Sequence, residues 1–150
     1  MEIKRITKAD LADVIELIYQ TSLIFGISHV ISDNPKDKKL FASMFQESFN
    51  DMELFGYFEE SKLLGVIGVE DNNYIPVLYV LKEYQHLNIG TELLNYVKEY
   101  VLNKTTFIDV CADYKAIPFY EKNGFKINGD IMDDKVMMQY LVEKEKNHLK

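Results

Sequence analysis

Polar and apolar residues alternate from Glu2 to Ile6, as in a short strand with one face turned inward. Thr7-Lys8-Ala9-Asp10 then has the Ser/Thr-x-x-acid form of a helix start, in which side-chain oxygens satisfy first-turn amides. Leu11, Val14, Ile15 and Ile18 follow at helical spacing and draw one apolar stripe, which fades near Ser22. Asn34-Pro35 reads as a cap with proline at the first helical position. It opens a second helix with Leu40, Phe41, Met44 and Phe45 on one face. The stretch between the two helices, Leu23 to Asp33, follows no period and is expected to be irregular.

From Leu54 the period drops to that of strands, in Leu54 to Glu59, Leu63 to Val69 and Tyr74 to Leu81. Turn residues at Glu60-Ser61 and Asp71-Asn72-Asn73 separate them, which predicts a three-stranded antiparallel meander. A helical stripe of Leu93, Leu94, Val97 and Val101 starts near Glu92, stops near Asn103, and precedes a short strand from Thr105 to Val110. Strand, helix and strand in that order favour a parallel crossover. A further helix from about Tyr114 to Lys122 stops at Asn123-Gly124, and strand patterns follow at Phe125 to Asn128 and Val136 to Val142. The predicted order is βααβββαβαββ, an α+β chain with a mixed, mostly antiparallel sheet. No repeat or composition break marks a second domain, so residues 1–142 are expected to form one domain and 143–150 a charged, frayed tail.

Composition narrows the partners. Of 150 residues, 47% are hydrophobic, enough for one core of ordinary size. The 17 Lys and Arg against 24 Asp and Glu leave a net charge of -7, which argues against nucleic acid or an anionic membrane as partner. Cys111 has no second cysteine to pair with, and no Cys/His cluster has zinc-ligand spacing, so no metal is expected. The N-terminus lacks the basic start, apolar stretch and cleavage site of a signal peptide, and a cytoplasmic protein is expected.

The chemistry concentrates at Gln85-His86-Leu87-Asn88-Ile89-Gly90-Thr91, between the apolar run Val77 to Leu81 and a helix. A strand, a tight turn and a helix N-terminus in that order present backbone N–H groups and the positive end of the helix dipole to one anion, such as a pyrophosphate. Downstream stands Ala116-Ile117-Pro118-Phe119-Tyr120-Glu121-Lys122-Asn123-Gly124-Phe125. The turn Gln85-x-x-Asn88-x-Gly90 together with this second stretch resembles the two main motifs of the GNAT acyl-CoA N-acyltransferases, and the element order matches over nearly the whole chain.

That resemblance implies the GNAT fold, with helices on both faces of the sheet, and acetyl-CoA as co-substrate. The peptide groups of Leu87, Asn88, Ile89, Gly90 and Thr91 would hold the pyrophosphate, with Gln85 and Thr91 as side-chain helpers. The family usually has glycine where this chain has Asn88, a residue that tolerates left-handed backbone nearly as well. Leu78 and Val80 would pair with the pantetheine arm as an added strand does, the amide of Leu78 donating to the thioester carbonyl of the tetrahedral intermediate. Tyr120 matches the tyrosine that protonates the departing thiolate; a phenol with an ordinary pKa near 10 keeps its proton at neutral pH. Its bland alternative is a core tyrosine. Asp113 stands where an asparagine often contacts the cofactor, and its alternative is a helix cap.

A general base is harder to place. An alkylammonium near pKa 10.4 lies about 3.4 units above neutral, so freeing the amine costs roughly 4.6 kcal/mol without help. The strand positions that carry a base in relatives fall on Tyr74 and Pro76. Substitutes are Glu70, Asp71, Asp109 or His29, each with a bland reading as a turn, strand-edge or loop residue; His86 suits solvent or phosphate better than proton abstraction. Cys111 has no basic neighbour in sequence and reads as a buried small hydrophobe.

The expected function is therefore direct acetyl transfer from acetyl-CoA to a primary amine of a small molecule or peptide. The alternative is a non-catalytic acyl-CoA sensor or interaction module of the same fold. A Rossmann oxidoreductase fits less well, because G-x-G-x-x-G is absent and a meander precedes the turn. The acceptor and the oligomeric state stay open, a two-fold homodimer being the commonest outcome for small domains.

Overall fold

Hydrophobic alternation in the middle of the chain becomes an ordered sheet in the computed structural model, which describes residues 1–25 and 35–143. The strands are β1 (Glu2–Arg5), β2 (Glu53–Glu59), β3 (Lys62–Glu70), β4 (Tyr74–Val80), β5 (Phe107–Asp113), β6 (Lys126–Met132) and β7 (Lys135–Leu141). The helices are α1 (Leu11–Phe25), α2 (Pro35–Ser48), α3 (Ile89–Tyr100) and α4 (Ile117–Lys122). The hydrogen-bonded strand order is β1-β2-β3-β4-β5-β7-β6. The chain divides into two compact units, one of residues 1–68 and 77–94, the other of residues 69–76 and 95–150, so that β3, β4 and α3 contribute to both.

In the first unit β1 runs antiparallel to β2, with Ile3 opposite Tyr57. The Asp10 carboxylate accepts from both the Thr7 amide and the Thr7 hydroxyl at 3.0 Å, and α1 follows after one 3-10 turn. The core joins Val14, Ile15, Leu17 and Ile18 of α1 to Leu54, Phe58, Leu63 and Val66 of the sheet, with Phe45 of α2. The β2–β3 connection is a two-residue hairpin in which Glu60 (φ 51°) and Ser61 (φ 70°) both take the left-handed backbone that matches strand twist.

One expectation fails on α2. Phe41 and Phe45 pack toward α1, Phe41 at 6.2 Å from the Tyr19 ring, whereas Leu40 and Met44 are 55% and 57% exposed. The two pairs form adjacent helical rows about 100° apart, and α1 covers one of them.

In the second unit β5 is central. It runs parallel to the start of β4, with Tyr74 opposite Asp109 and Ile75 opposite Val110, as the crossover rule predicts. On its other side it pairs antiparallel with β7 along its whole length, from Phe107–Leu141 to Asp113–Lys135. The ladder between β4 and β5 ends at Ile75; the next residue, Pro76, has no N–H to extend it. The strand expected at 105–110 instead runs from Phe107 to Asp113, so Cys111 and Asp113 lie inside it. Its residues alternate between a buried row (Ile108, Val110, Ala112) and a half-buried one (Phe107, Asp109, Cys111, Asp113).

Strand β6 is longer than expected and shifts register between Ile127 and Ile131, where Gly129 adopts φ 143°. Helix α3 starts at Ile89, three residues earlier than expected; Leu93, Leu94, Val97 and Val101 are fully buried. The Asn34 cap, His29, most of the irregular 23–33 stretch and the tail beyond Glu143 lie outside the described residues. Among the described residues, no helix is long and apolar enough to cross a membrane.

Candidate active site

The first unit carries the turn from Gln85 to Thr91. After β4 the chain makes one 3-10 turn at Lys82–Tyr84 and enters Gln85 in extended geometry. His86 (φ 70°) and Asn88 (φ 69°) then take left-handed backbone on either side of Leu87. Such alternation turns successive N–H groups toward one concave side, a form that cradles anions. The Asn88 carbonyl accepts the first helical bond, from the Glu92 amide at 2.9 Å, which makes Asn88 the cap of α3. Ile89 and Gly90 form the first turn, whose amides have no carbonyl four residues back inside the helix. His86, Leu87 and Asn88 are exposed.

Gln85 fastens this turn to the strand. Its side-chain Nε2 donates to the Val80 carbonyl at 3.0 Å, a positioning role that the sequence did not suggest beside its assignment as ligand helper. Lys62 steadies the 3-10 turn by donating to the Tyr84 hydroxyl at 3.4 Å, with its ammonium 5.2 Å from the ring centre.

The direction of Leu78 and Val80 follows from strand alternation. The Leu81 amide bonds the Leu64 carbonyl of β3 at 2.9 Å, so the N–H and C=O of residue 79 point toward β3 and those of residues 78 and 80 point away from it. The packing agrees: a Cβ added at Gly65 of β3 would lie 3.3 Å from the Tyr79 carbonyl oxygen. The Val80 carbonyl is taken by Gln85 and not by β3. The backbone groups of Leu78 and Val80 thus lie on the strand edge where an extended chain can pair. A phosphate-bearing molecule with an amide-containing arm suits this cradle and edge.

The second unit carries Tyr120, Asp113 and the acids Glu70, Asp71 and Asp109. Tyr120 is 7% exposed in α4, with its ring edge-on to Phe125 at 5.3 Å and to Phe119 at 5.1 Å. Helix α4 ends where Asn123 bonds back to the Phe119 and Tyr120 carbonyls and Gly124 adopts φ 93°, the glycine stop expected from sequence. Asp113 caps the 3-10 turn before α4, its Oδ1 accepting from the Lys115 amide at 2.9 Å, so the capping role weighed for it is realised.

Asp109 is no strand-edge charge. It sits on the central strand β5 and accepts from Gln139 Nε2 at 2.9 Å, opposite Tyr74. Burial first, then the neighbouring Cys111, Glu70 and Asp109, hold the Tyr74 phenol above its usual value of 10.0. Cys111 is half-buried on that same row, more open than expected, because alternation assigns the inner row to Val110 and Ala112. Asp71 occupies the β3–β4 turn at φ 53°, exposed as the bland reading has it. Among the described residues, no three His, Cys, Asp or Glu side chains gather as metal ligands would.

Sequence reasoning missed the bond from Lys98 Nζ to the Asn123 carbonyl, at 2.6 Å. Its only sequence signal is a lysine beside the Val97 position of the buried stripe of α3.

The comparisons with known proteins identify the family and the fold. A family profile described as an Acetyltransferase (GNAT) domain matches residues 30–140. An aminoglycoside 6'-acetyltransferase type Ii structure superposes with a TM-score of 0.76 at 21% identity, over 97% of this chain and 99% of that one. The PaiA N-acetyltransferase of Thermoplasma acidophilum, crystallised with coenzyme A, gives 0.73 at 24% identity over 93% and 98%. A GNAT-family acetyltransferase of Staphylococcus aureus gives 0.75 at 18% over 95% and 99%. No curated protein matches the sequence at comparable significance.

Proposed function

The chain belongs to the GNAT acetyltransferase family, and on that premise we propose that it moves an acetyl group from acetyl-CoA to a primary amine by direct attack. The observation that carries this reading is the paired left-handed geometry of His86 and Asn88 ahead of α3, on a strand whose Leu78 and Val80 groups point away from β3. The family match extends from residue 30 to residue 140, which supports treating residues 1–142 as one catalytic domain.

In this reading the amides from Leu87 to Thr91 hold the pyrophosphate, and coenzyme A supplies the thioester that is attacked. Val80 pairs with the pantetheine arm. The Leu78 amide donates to the thioester carbonyl oxygen, where negative charge grows as the amine nitrogen bonds to the carbonyl carbon. Tyr120 gives its proton to the sulfur as the C–S bond breaks, the attacking nitrogen loses a proton to water as the amide forms, and the Tyr120 phenolate is reprotonated from solvent. Asp113 contributes through the turn that it caps ahead of α4. The acceptor is a small-molecule or peptide amine; two of the similar structures are aminoglycoside acetyltransferases, which makes amino sugars the first class to try.

The test follows thiol release from acetyl-CoA with a panel of amino sugars, polyamines and peptides. Tyr120→Phe is expected to lower kcat by about 10²–10⁴, the span of general acid catalysis, while coenzyme binding persists. Unchanged turnover in that variant would remove Tyr120 from the mechanism. Binding of the coenzyme with no turnover on any amine would favour an acyl-CoA-binding module.

A further inference from the structure

A side chain of α3 holds the C-terminal end of α4. Lys98 donates from Nζ to the Asn123 carbonyl at 2.6 Å, and the same ammonium lies 4.2 Å from the centre of the Tyr140 ring. Asn123 is the residue after α4; its backbone N–H and its side-chain Nδ2 both return to the Phe119 carbonyl, at 3.2 and 2.9 Å. Tyr140 packs on Phe125 at 5.5 Å, and Phe125 on Tyr120 at 5.3 Å. Two routes therefore lead from one ammonium to one phenol, through the cap of α4 and through the packed rings.

Helix α4 has six residues, far fewer than an isolated helix needs, so tertiary contacts set its position. Tyr120 lies within one turn of the cap that Lys98 holds. Burial lowers the pKa of Lys98 from 10.5, opposed by Glu143, which records a desolvation cost. An apolar side chain of similar length would fill the same space without that cost. What the ammonium adds is direction, since one donor on the Asn123 carbonyl and one cation over the Tyr140 face fix α4 against both α3 and β7.

We propose that Lys98 is a positioning residue for Tyr120, fixing through the Asn123 carbonyl and the Tyr140 ring the angle at which α4 presents the phenol. The proposal rests on reading Tyr120 as the acid, but it concerns the placing of that ring and is measurable apart from catalysis.

The experiment compares wild type with Lys98→Met and Lys98→Arg, reading the Tyr120 signal by NMR in protein labelled with ¹³C in its tyrosine rings. Loss of the signal in Tyr120→Phe assigns it. Lys98→Met is expected to shift or broaden that signal and to lower kcat about tenfold, the size of one charge-assisted hydrogen bond, with KM for acetyl-CoA within about twofold. Lys98→Arg, which restores a cationic donor, is expected to recover both. In a Tyr120→Phe background Lys98→Met should cause no further loss. A Tyr120 signal unmoved in Lys98→Met overturns the proposal whatever the activity, as does an equal loss of kcat in the Tyr120→Phe background. Should Lys98→Met fail to fold, Lys98→Leu, which likewise removes the donor and the charge, carries the same comparison. If Tyr120→Phe leaves turnover unchanged, the acid reading fails and the ring signal alone decides the positioning role.

Discussion

Asn88 shows how one residue's backbone can matter more than its side chain. At φ 69° it occupies a region that costs most L-residues about 1–2 kcal/mol, and asparagine is among the few that tolerate it. Asn88→Gly is therefore expected to leave coenzyme A affinity nearly unchanged. Asn88→Val, β-branched and disfavoured there, should destabilise the fold by about 1–2 kcal/mol and weaken coenzyme binding about tenfold. Calorimetric titration with coenzyme A, together with thermal melts, separates the two outcomes. This much was legible in the residue type together with the glycine that the family usually has at this position. The left-handed His86 was not, because histidine, although enriched in that region, still lies outside it in most of its positions. Nor did residue type reveal that Gln85 would fasten the turn to the Val80 carbonyl, because that bond needs the strand end and the turn to meet in space.

At the scale of elements, the start of α3 depends on how closely it can approach the sheet. A Cβ at Gly65 of β3 would come within 3.1 Å of both Ile89 Cγ2 and Leu93 Cδ1, in the first turns of the helix that follows the left-handed Asn88. Gly65→Val should push the helix off the strand, costing about 1–3 kcal/mol of stability by overpacking. The same displacement should raise the dissociation constant for coenzyme A; chemical denaturation and binding measured on one preparation would show whether both change. The element order βααβββαβαββ was readable because apolar periods of two and 3.6 rarely mimic each other over seven or more residues. Boundaries were less readable: the strand expected from Thr105 to Val110 proved to run from Phe107 to Asp113, since pairing with β7 decides where extension stops. The exposed row of Leu40 and Met44 on α2 was unreadable for a related reason, as the pattern shows an apolar stripe but not which part of it a neighbour covers.

Across the whole molecule, half-buried titratable groups predict how stability responds to alkali. Burial first, then nearby acids or the Cys111 thiol, raises the Tyr74 and Tyr140 phenols above 10.0. Each contributes stability that is complete below pH 10, where the unfolded phenol begins to ionise, and that is lost as pH rises through the higher folded value. Lys98 runs the other way. Its folded value is lowered from 10.5, so its charge costs stability at neutral pH and the cost is relieved as pH rises through the lowered value. The raised Tyr74 phenol alone makes a distinct prediction: Tyr74→Phe is expected to lose less Tm than wild type as pH rises above about 10. Melts between about pH 8 and pH 11 on the two proteins check this; a Tyr74→Phe profile identical to wild type would count against a raised Tyr74.

The opening pattern and two motifs determined the element order, the tight turn between Gln85 and Thr91, the glycine stop at Gly124 and the family, because each is encoded in local spacing and in the conformations that particular residues tolerate. Only the tertiary structure decided that Lys98 caps α4, that Gln139 holds Asp109 on a central strand, and that Leu78 and Val80 turn their backbones away from β3. Those facts join residues 25, 30 and 17 positions apart in the chain, such as Lys98 with Asn123, Asp109 with Gln139 and Leu64 with Leu81. Local propensity acts over a few residues, whereas hydrogen bonds across such separations exist only once strands have paired in register and helices have packed on them.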